Sequence, residues 1–144
     1  MMNDAILYVE DEESDVFLLG LALKRSGLSC RLCVAVDGLQ AIDYIGGGGE
    51  FADRQKHPFP GLVLLDLKLP GKSGFQVLHW IRANPALAQL PVIIYTSSST
   101  AADRAQAEQL GATGYRTKLS DVNALAEWLS TLTAYLRPQP TAHS

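Results

Sequence analysis

Short apolar runs recur along this chain, each followed by a stretch of helical period, and this alternation restricts the fold more than any other feature. The runs Ala5–Val9, Cys30–Val34, Leu62–Asp66, Val92–Thr96 and Gly114–Thr117 read as strands. Helices are predicted over Ser14–Arg25, Leu39–Ile45, Gly74–Ala83, Ala101–Leu110 and Asp121–Leu136. In the last of these, Val122, Leu125, Ala126, Leu129, Leu132 and Leu136 keep the spacing of one buried face. Ser14 and Ser120 stand where capping oxygens are expected, each followed by an aspartate. Parallel neighbours need a crossover, so strand–helix repeats predict a parallel sheet, and LVLL and VIIY read as central strands covered on both faces. The glycine-rich stretch Gly46–Pro60 is predicted to be a mobile, solvated loop. A single domain is expected over 1–137, with 138–144 as a disordered tail.

Composition bounds the function. Apolar residues make up 47% and charged residues 19% of the 144, a globular balance. A net charge of −3 gives no pull toward nucleic acid or an anionic membrane, so neither is expected as a partner. The longest apolar run, Val16–Leu23, is too short to span a bilayer, and acids from Glu10 to Glu13 follow the first strand at once, unlike a signal peptide. A cytoplasmic protein is expected. Cys30 and Cys33 form a C-x-x-C, but three residues apart on a strand their sulfurs diverge, which favours structural thiols over a redox pair. His57, His79 and His143 lack zinc-ligand spacing, and Trp80 and Trp128 read as packing residues.

In an open parallel sheet, ligands bind beyond the carboxyl ends of the strands. There the sequence sets Glu10 and Asp11, Asp66, Thr96 with Ser97, and Lys118. Two carboxylates ~4 Å apart repel by roughly 4 kcal/mol at an effective dielectric near 20, more than one lysine relieves across three acids. A hard divalent cation such as Mg²⁺ relieves it. A carboxylate beside Mg²⁺, an ammonium and a hydroxyl is equipped to attack a phosphoryl group, which points to an aspartyl-phosphate site at Asp66. Taken singly, each residue has a plainer reading: a turn aspartate, a solvated acidic run, a capping threonine, a surface lysine. Their convergence on one edge outweighs these.

The stretches AILYVEDEESD, LVLLDLKLPGKSG, PVIIYTSSS and GATGYRTKLSD strongly resemble the receiver domains of two-component response regulators. The resemblance implies a flavodoxin-like, doubly wound α/β fold: a five-stranded parallel sheet of order 2-1-3-4-5 with five helices. It implies Asp66 as the phosphoacceptor, served by a histidine kinase. Asp11, Asp66 and the backbone carbonyl of Lys68 would hold Mg²⁺, with Glu10 in an indirect or supporting role. Thr96 resembles the switch hydroxyl, Lys118 the phosphate-pairing lysine and Tyr115 the aromatic rotamer switch. Lys68 and Ser98 are similar to positions that tune phosphate lifetime. The long loop before the third strand, followed by DLKLPGKSG, is most similar to small single-domain regulators serving phytochrome-type kinases. Such a protein catalyses only its own phosphorylation and dephosphorylation. Its signal leaves through protein contacts, for instance a homodimer formed on the fourth helix, fifth strand and fifth helix.

Two departures stand out. Leu119 follows Lys118 where the family usually has proline after a cis bond; before any other residue a cis bond costs about 2.5–4 kcal/mol, so a trans bond and an altered loop are predicted. Lys68 lies two residues past Asp66, on the same side of an extended segment, where a cation would pair with the phosphate or with Glu10. Three rivals can be weighed. Gly71–Ser73 reads GKS, but the glycine a phosphate-binding loop needs five positions earlier is Asp66. An aspartate-based phosphohydrolase of the haloacid dehalogenase kind typically carries a second acid where Lys68 stands. A phosphorylation-independent interaction module would follow if the loop after Lys118 had disabled switching.

Overall fold

A computed structural model describes residues 4–136. Five parallel strands, β1 (Ala5–Val9), β2 (Arg31–Ala35), β3 (Leu62–Leu65), β4 (Val92–Thr96) and β5 (Gly114–Thr117), form one sheet of order β2-β1-β3-β4-β5. The register pairs Val9 with Leu65, Leu65 with Ile94, and Thr96 with Thr117, which aligns the carboxyl ends along one edge. Every residue of β1, β3 and β4 is buried, as their continuous apolar runs require. Alternate residues feed two cores. Leu7, Val9, Val63, Leu65 and Ile94 meet Val77, Leu78 and Ile81 on one face; Ile6, Tyr8, Leu64 and Tyr95 meet Leu19, Leu125 and Leu129 on the other. Cys33 packs toward the first core and Cys30 toward the second, both as free thiols, so the structural reading of the pair holds.

The helices are α1 (Glu13–Ser26), α2 (Gly38–Gly46), α3 (Gly74–Ala83), α4 (Ala101–Gln109), α5 (Val122–Ser130) and α6 (Thr133–Leu136), with 3₁₀ turns at Gly49–Phe51 and Pro85–Leu87. The predicted fifth helix is therefore two. Ser130 and Thr131 turn their hydroxyls back onto the carbonyls of Glu127 and Trp128, and the Thr131 and Leu132 amides bond three residues back. That tightening ends α5, although Leu125, Leu129, Leu132 and Leu136 still share the buried face. The caps also differ from expectation. Asp121, not Ser120, caps α5 by accepting from the Ala124 amide at 3.0 Å, and Glu12 precedes α1 without a side-chain cap bond.

The stretch 46–60 is packed rather than loose. Phe51 is buried against Tyr44, ring centroids 5.1 Å apart, and His57 meets both rings edge-on. Arg54 donates to the carbonyls of Tyr44, Ile45 and His57, capping the end of α2 with a cation where the helix dipole is negative. Arg31 ties down the carbonyls of Gln55 and Lys56 in the same way. Among the described residues no helix is long and apolar enough to cross a membrane. The expected tail at 138–144, with His143, lies outside the described residues.

Candidate phosphoryl-transfer site

Glu10 directly follows β1 and Asp66 directly follows β3, and both carboxylates are buried, at 1% and 5% exposure. The sheet presents them and Lys118 reaches across from the end of β5. Its Nζ lies 2.7 Å from Glu10 Oε1, 3.0 Å from Asp66 Oδ2 and 2.7 Å from Asp15 Oδ2. The other Asp66 oxygen, Oδ1, accepts from the Leu67 amide at 2.7 Å, so both oxygens are held. Glu10 also accepts from the Tyr8 hydroxyl at 3.2 Å and, through Oε2, from the Glu12 amide at 3.1 Å.

Burial pushes the Glu10 carboxyl up to about 7, and proximity to Asp66 adds to this against the opposing pull of Lys118. Burial works the same way on Asp66, but the neighbouring Glu10, Lys118 and Thr96 side chains outweigh it and hold that carboxyl below the usual range. The two acids thus divide the work: Asp66 stays ionised while Glu10 takes up a proton readily. Lys118 is raised, because Asp15, Glu10 and Asp66 together overcome its desolvation.

The structure brings together Glu10, Asp66 and Lys118 as the sequence suggests, with Thr96 fully buried at the end of β4 beside them. It adds Asp15, which sequence reasoning missed. Its one signal is position: the first turn of a helix that starts at the same sheet edge. Asp11 is exposed, and with Glu10 it borders a shallow concavity whose lining includes neither Asp66 nor Lys118. Lys68 is exposed while Asp66 is buried, and the pairing with Glu10 is not formed: the Glu10 oxygens are taken by Lys118, Tyr8 and Glu12. Tyr115 is half-buried on β5 and donates to the Ser98 carbonyl at 2.9 Å, with the Arg104 guanidinium 4.5 Å over its ring. Ser98 bonds Asp103 through its hydroxyl at 2.6 Å, and its amide meets the Thr96 hydroxyl at 3.4 Å. The Lys118–Leu119 bond is trans, as the substitution of proline by leucine predicts.

The donor set suits a hard divalent cation. Glu10, Asp15 and Asp66 share a single lysine, which leaves a surplus of negative charge on carboxylate oxygens, and Asp11 follows Glu10 directly in the chain. Among the described residues no three acidic, histidine or cysteine side chains close into a ready-made cage. Mg²⁺ needs none, since one or two carboxylates, waters and a phosphate oxygen complete its shell.

Comparison with known proteins agrees with this geometry. The response regulator receiver domain pattern matches residues 6–130. The chain is 36% identical over 136 residues to the response regulator Rcp1 of Synechocystis sp. (strain ATCC 27184 / PCC 6803 / Kazusa), covering 89% of this chain and 90% of that protein. The crystal structure of the Mn²⁺-bound form of Rcp1 superposes with a TM-score of 0.78 at 33% identity, over 96% of this chain and 97% of that one. The phosphorylated cyanobacterial phytochrome response regulator RcpA gives 0.82 at 29% identity, over 96% and 97% of the two chains. A response regulator in red light signalling of R. palustris gives 0.85 at 30%, over 95% and 96%. Receiver domains of this kind work with histidine kinases and bind a divalent metal. A strand-end aspartate, a buried acidic partner and a reaching lysine on a 2-1-3-4-5 sheet thus agree with the sequence match, and the chain belongs to the response regulator receiver family.

Proposed function

We propose that Asp66 accepts a phosphoryl group from a phosphohistidine of a phytochrome-type histidine kinase, and that the protein relays this signal through protein contacts. The observation that carries the reading is Asp66 itself: buried, kept ionised, and fixed by the Leu67 amide on one oxygen and by Lys118 on the other. One Asp66 oxygen attacks phosphorus in line; the O–P bond forms as the N–P bond breaks, and the electron pair returns to the imidazole nitrogen. The Lys118 ammonium neutralises charge on the transferring oxygens, and the Thr96 hydroxyl donates to one of them. Asp11, Asp66 and the Lys68 carbonyl, with Glu10 in support, would hold Mg²⁺, whose charge would further neutralise the phosphoryl oxygens. Thr96 and Tyr115 then shift the face formed by α4, β5 and α5, on which a homodimer or a target docks. The likeness to Rcp1 and to RcpA supports the phytochrome connection.

Acetyl phosphate with Mg²⁺ is expected to label the chain once, in an alkali-labile linkage that peptide mapping places on Asp66. Label on another residue overturns the assignment. Steady release of phosphate from a generic phosphomonoester favours a hydrolase, and no labelling at all favours a phosphorylation-independent module.

Lys68 belongs to the same proposal as a lifetime-tuning residue, together with Ser98. Its exposed ammonium is free of ion pairs among the described residues and stands two residues from Asp66, able to reach a bound phosphoryl group and crowd the hydrolytic water. Lys68→Asn should shorten the phosphate lifetime roughly three- to tenfold, the effect of one charge-assisted contact. Decay of the radiolabelled protein measures it, and equal lifetimes would remove the idea.

A further inference from the structure

Lys118 serves Asp66 only if the segment that carries it is held, and β5 ends one residue earlier, at Thr117. On one side the Lys118 amide donates to the Thr96 carbonyl at 2.7 Å, which extends the β4–β5 ladder. On the other side a side chain does the holding: the Leu119 amide donates to the Tyr95 hydroxyl at 3.1 Å. Tyr95 is 2% exposed, stacked on Trp128 with centroids 5.2 Å apart and planes 14° apart, and tilted against Tyr8 at 6.0 Å. A ring packed on two sides keeps its hydroxyl in place. Its neighbour Thr96 faces the site, while Tyr95 points to the α1–α5 side of the sheet, as strand alternation requires. The bond uses an amide hydrogen that proline would lack, at the position where this chain has leucine.

We propose that Tyr95 is a positioning residue for phosphoryl transfer: its hydroxyl clamps the Leu119 amide and so fixes where Lys118 delivers its ammonium. The proposal rests on the reading of Asp66 as the acceptor. Tyr95 touches neither Asp66 nor the transferred group; it acts through the backbone that carries Lys118.

The test uses the full chain and two readouts. Labelling by acetyl phosphate at saturating Mg²⁺ should be roughly three- to tenfold slower in Tyr95→Phe, the effect of one net hydrogen bond. That loss should vanish in a Leu119→Pro background, because the donor is already gone and the two changes delete the same bond. In metal-free protein, exchange of the Leu119 amide hydrogen should quicken in Tyr95→Phe while the Lys118 amide keeps its protection. The proposal is overturned if Tyr95→Phe labels at the wild-type rate, if its loss persists undiminished beside Leu119→Pro, or if both amides quicken equally. Asp66→Ala serves as the control: should it label like the wild type, the acceptor reading fails, and the exchange measurement still decides the clamp.

Discussion

Gly74→Ala is expected to destabilise the protein by about 3 kcal/mol or more and to disturb the Asp66 site with it. Gly74 opens α3 directly beneath the backbone of Asp66, and its amide donates to the Leu67 carbonyl at 2.9 Å. A Cβ there would collide with the Asp66 carbonyl oxygen and lie 2.8 Å from Leu67 Cα. Both obstacles are main chain at the end of β3, so neither can swing away as a side-chain tip would. Relief has to come from sliding α3 or lifting the Asp66–Leu67 peptide, and the second moves the carboxylate away from Lys118. Gly46→Ala is the matched control, since its Cβ would meet only Trp80 at 3.8 Å. Urea midpoints decide the matter: a fall confined to Gly74→Ala is expected, and an unchanged midpoint there would refute the close approach.

The metal-free protein is expected to lose stability as pH rises from about 4.5 to about 7, on account of Glu10. Its carboxyl stands near 4.5 in the unfolded chain and near 7 in the fold, so across this window the folded state holds more protons. The slope of stability against pH is therefore negative. The penalty is absent below the lower value and complete above the upper one, on the order of 3 kcal/mol. Asp66 behaves in the opposite sense. Its carboxyl is depressed, so its contribution is present above the unfolded value of 3.8 and is lost as pH falls below it. Glu10→Gln should flatten the upper window and raise stability near neutrality, and added Mg²⁺ should flatten it in the wild type. Urea unfolding between about pH 5 and about pH 8 measures the slope. Parallel curves for the wild type and Glu10→Gln would show that the penalty lies elsewhere.

Legibility in the sequence followed the locality of the cause. β1, β4 and β5 match their expected bounds, and α3 matches at both ends, because Ser73 and Gln76 complete a capping box where the helical pattern begins. Glu10, Asp66, Thr96 and Lys118 were readable because topology alone carries strand ends to one edge. Asp15 was not readable: its bond to Lys118 spans 103 positions and depends on how α1 lies across the sheet. The stretch 46–60 was misjudged for a related reason. Its glycines speak for looseness, whereas the order comes from Arg54 finding the carbonyls at the end of α2, a tertiary match that composition does not express.

Ser98 spends each of its three polar groups on a different neighbour: the amide on Thr96, the carbonyl on Tyr115, the hydroxyl on Asp103 in the first turn of α4. If Thr96 turns its hydroxyl toward a phosphoryl group, the news reaches α4 through one small, partly solvated residue rather than through the close-packed core. Water can replace each of these bonds, and each is worth only about 1 kcal/mol net. Rearranging them is therefore a low hurdle for a shift of population. On the proposed reading of Asp66, such a relay would work as a dimmer rather than a latch: phosphorylation would adjust how much of the time the output face is presented, and the size of the response would follow the occupancy of Asp66.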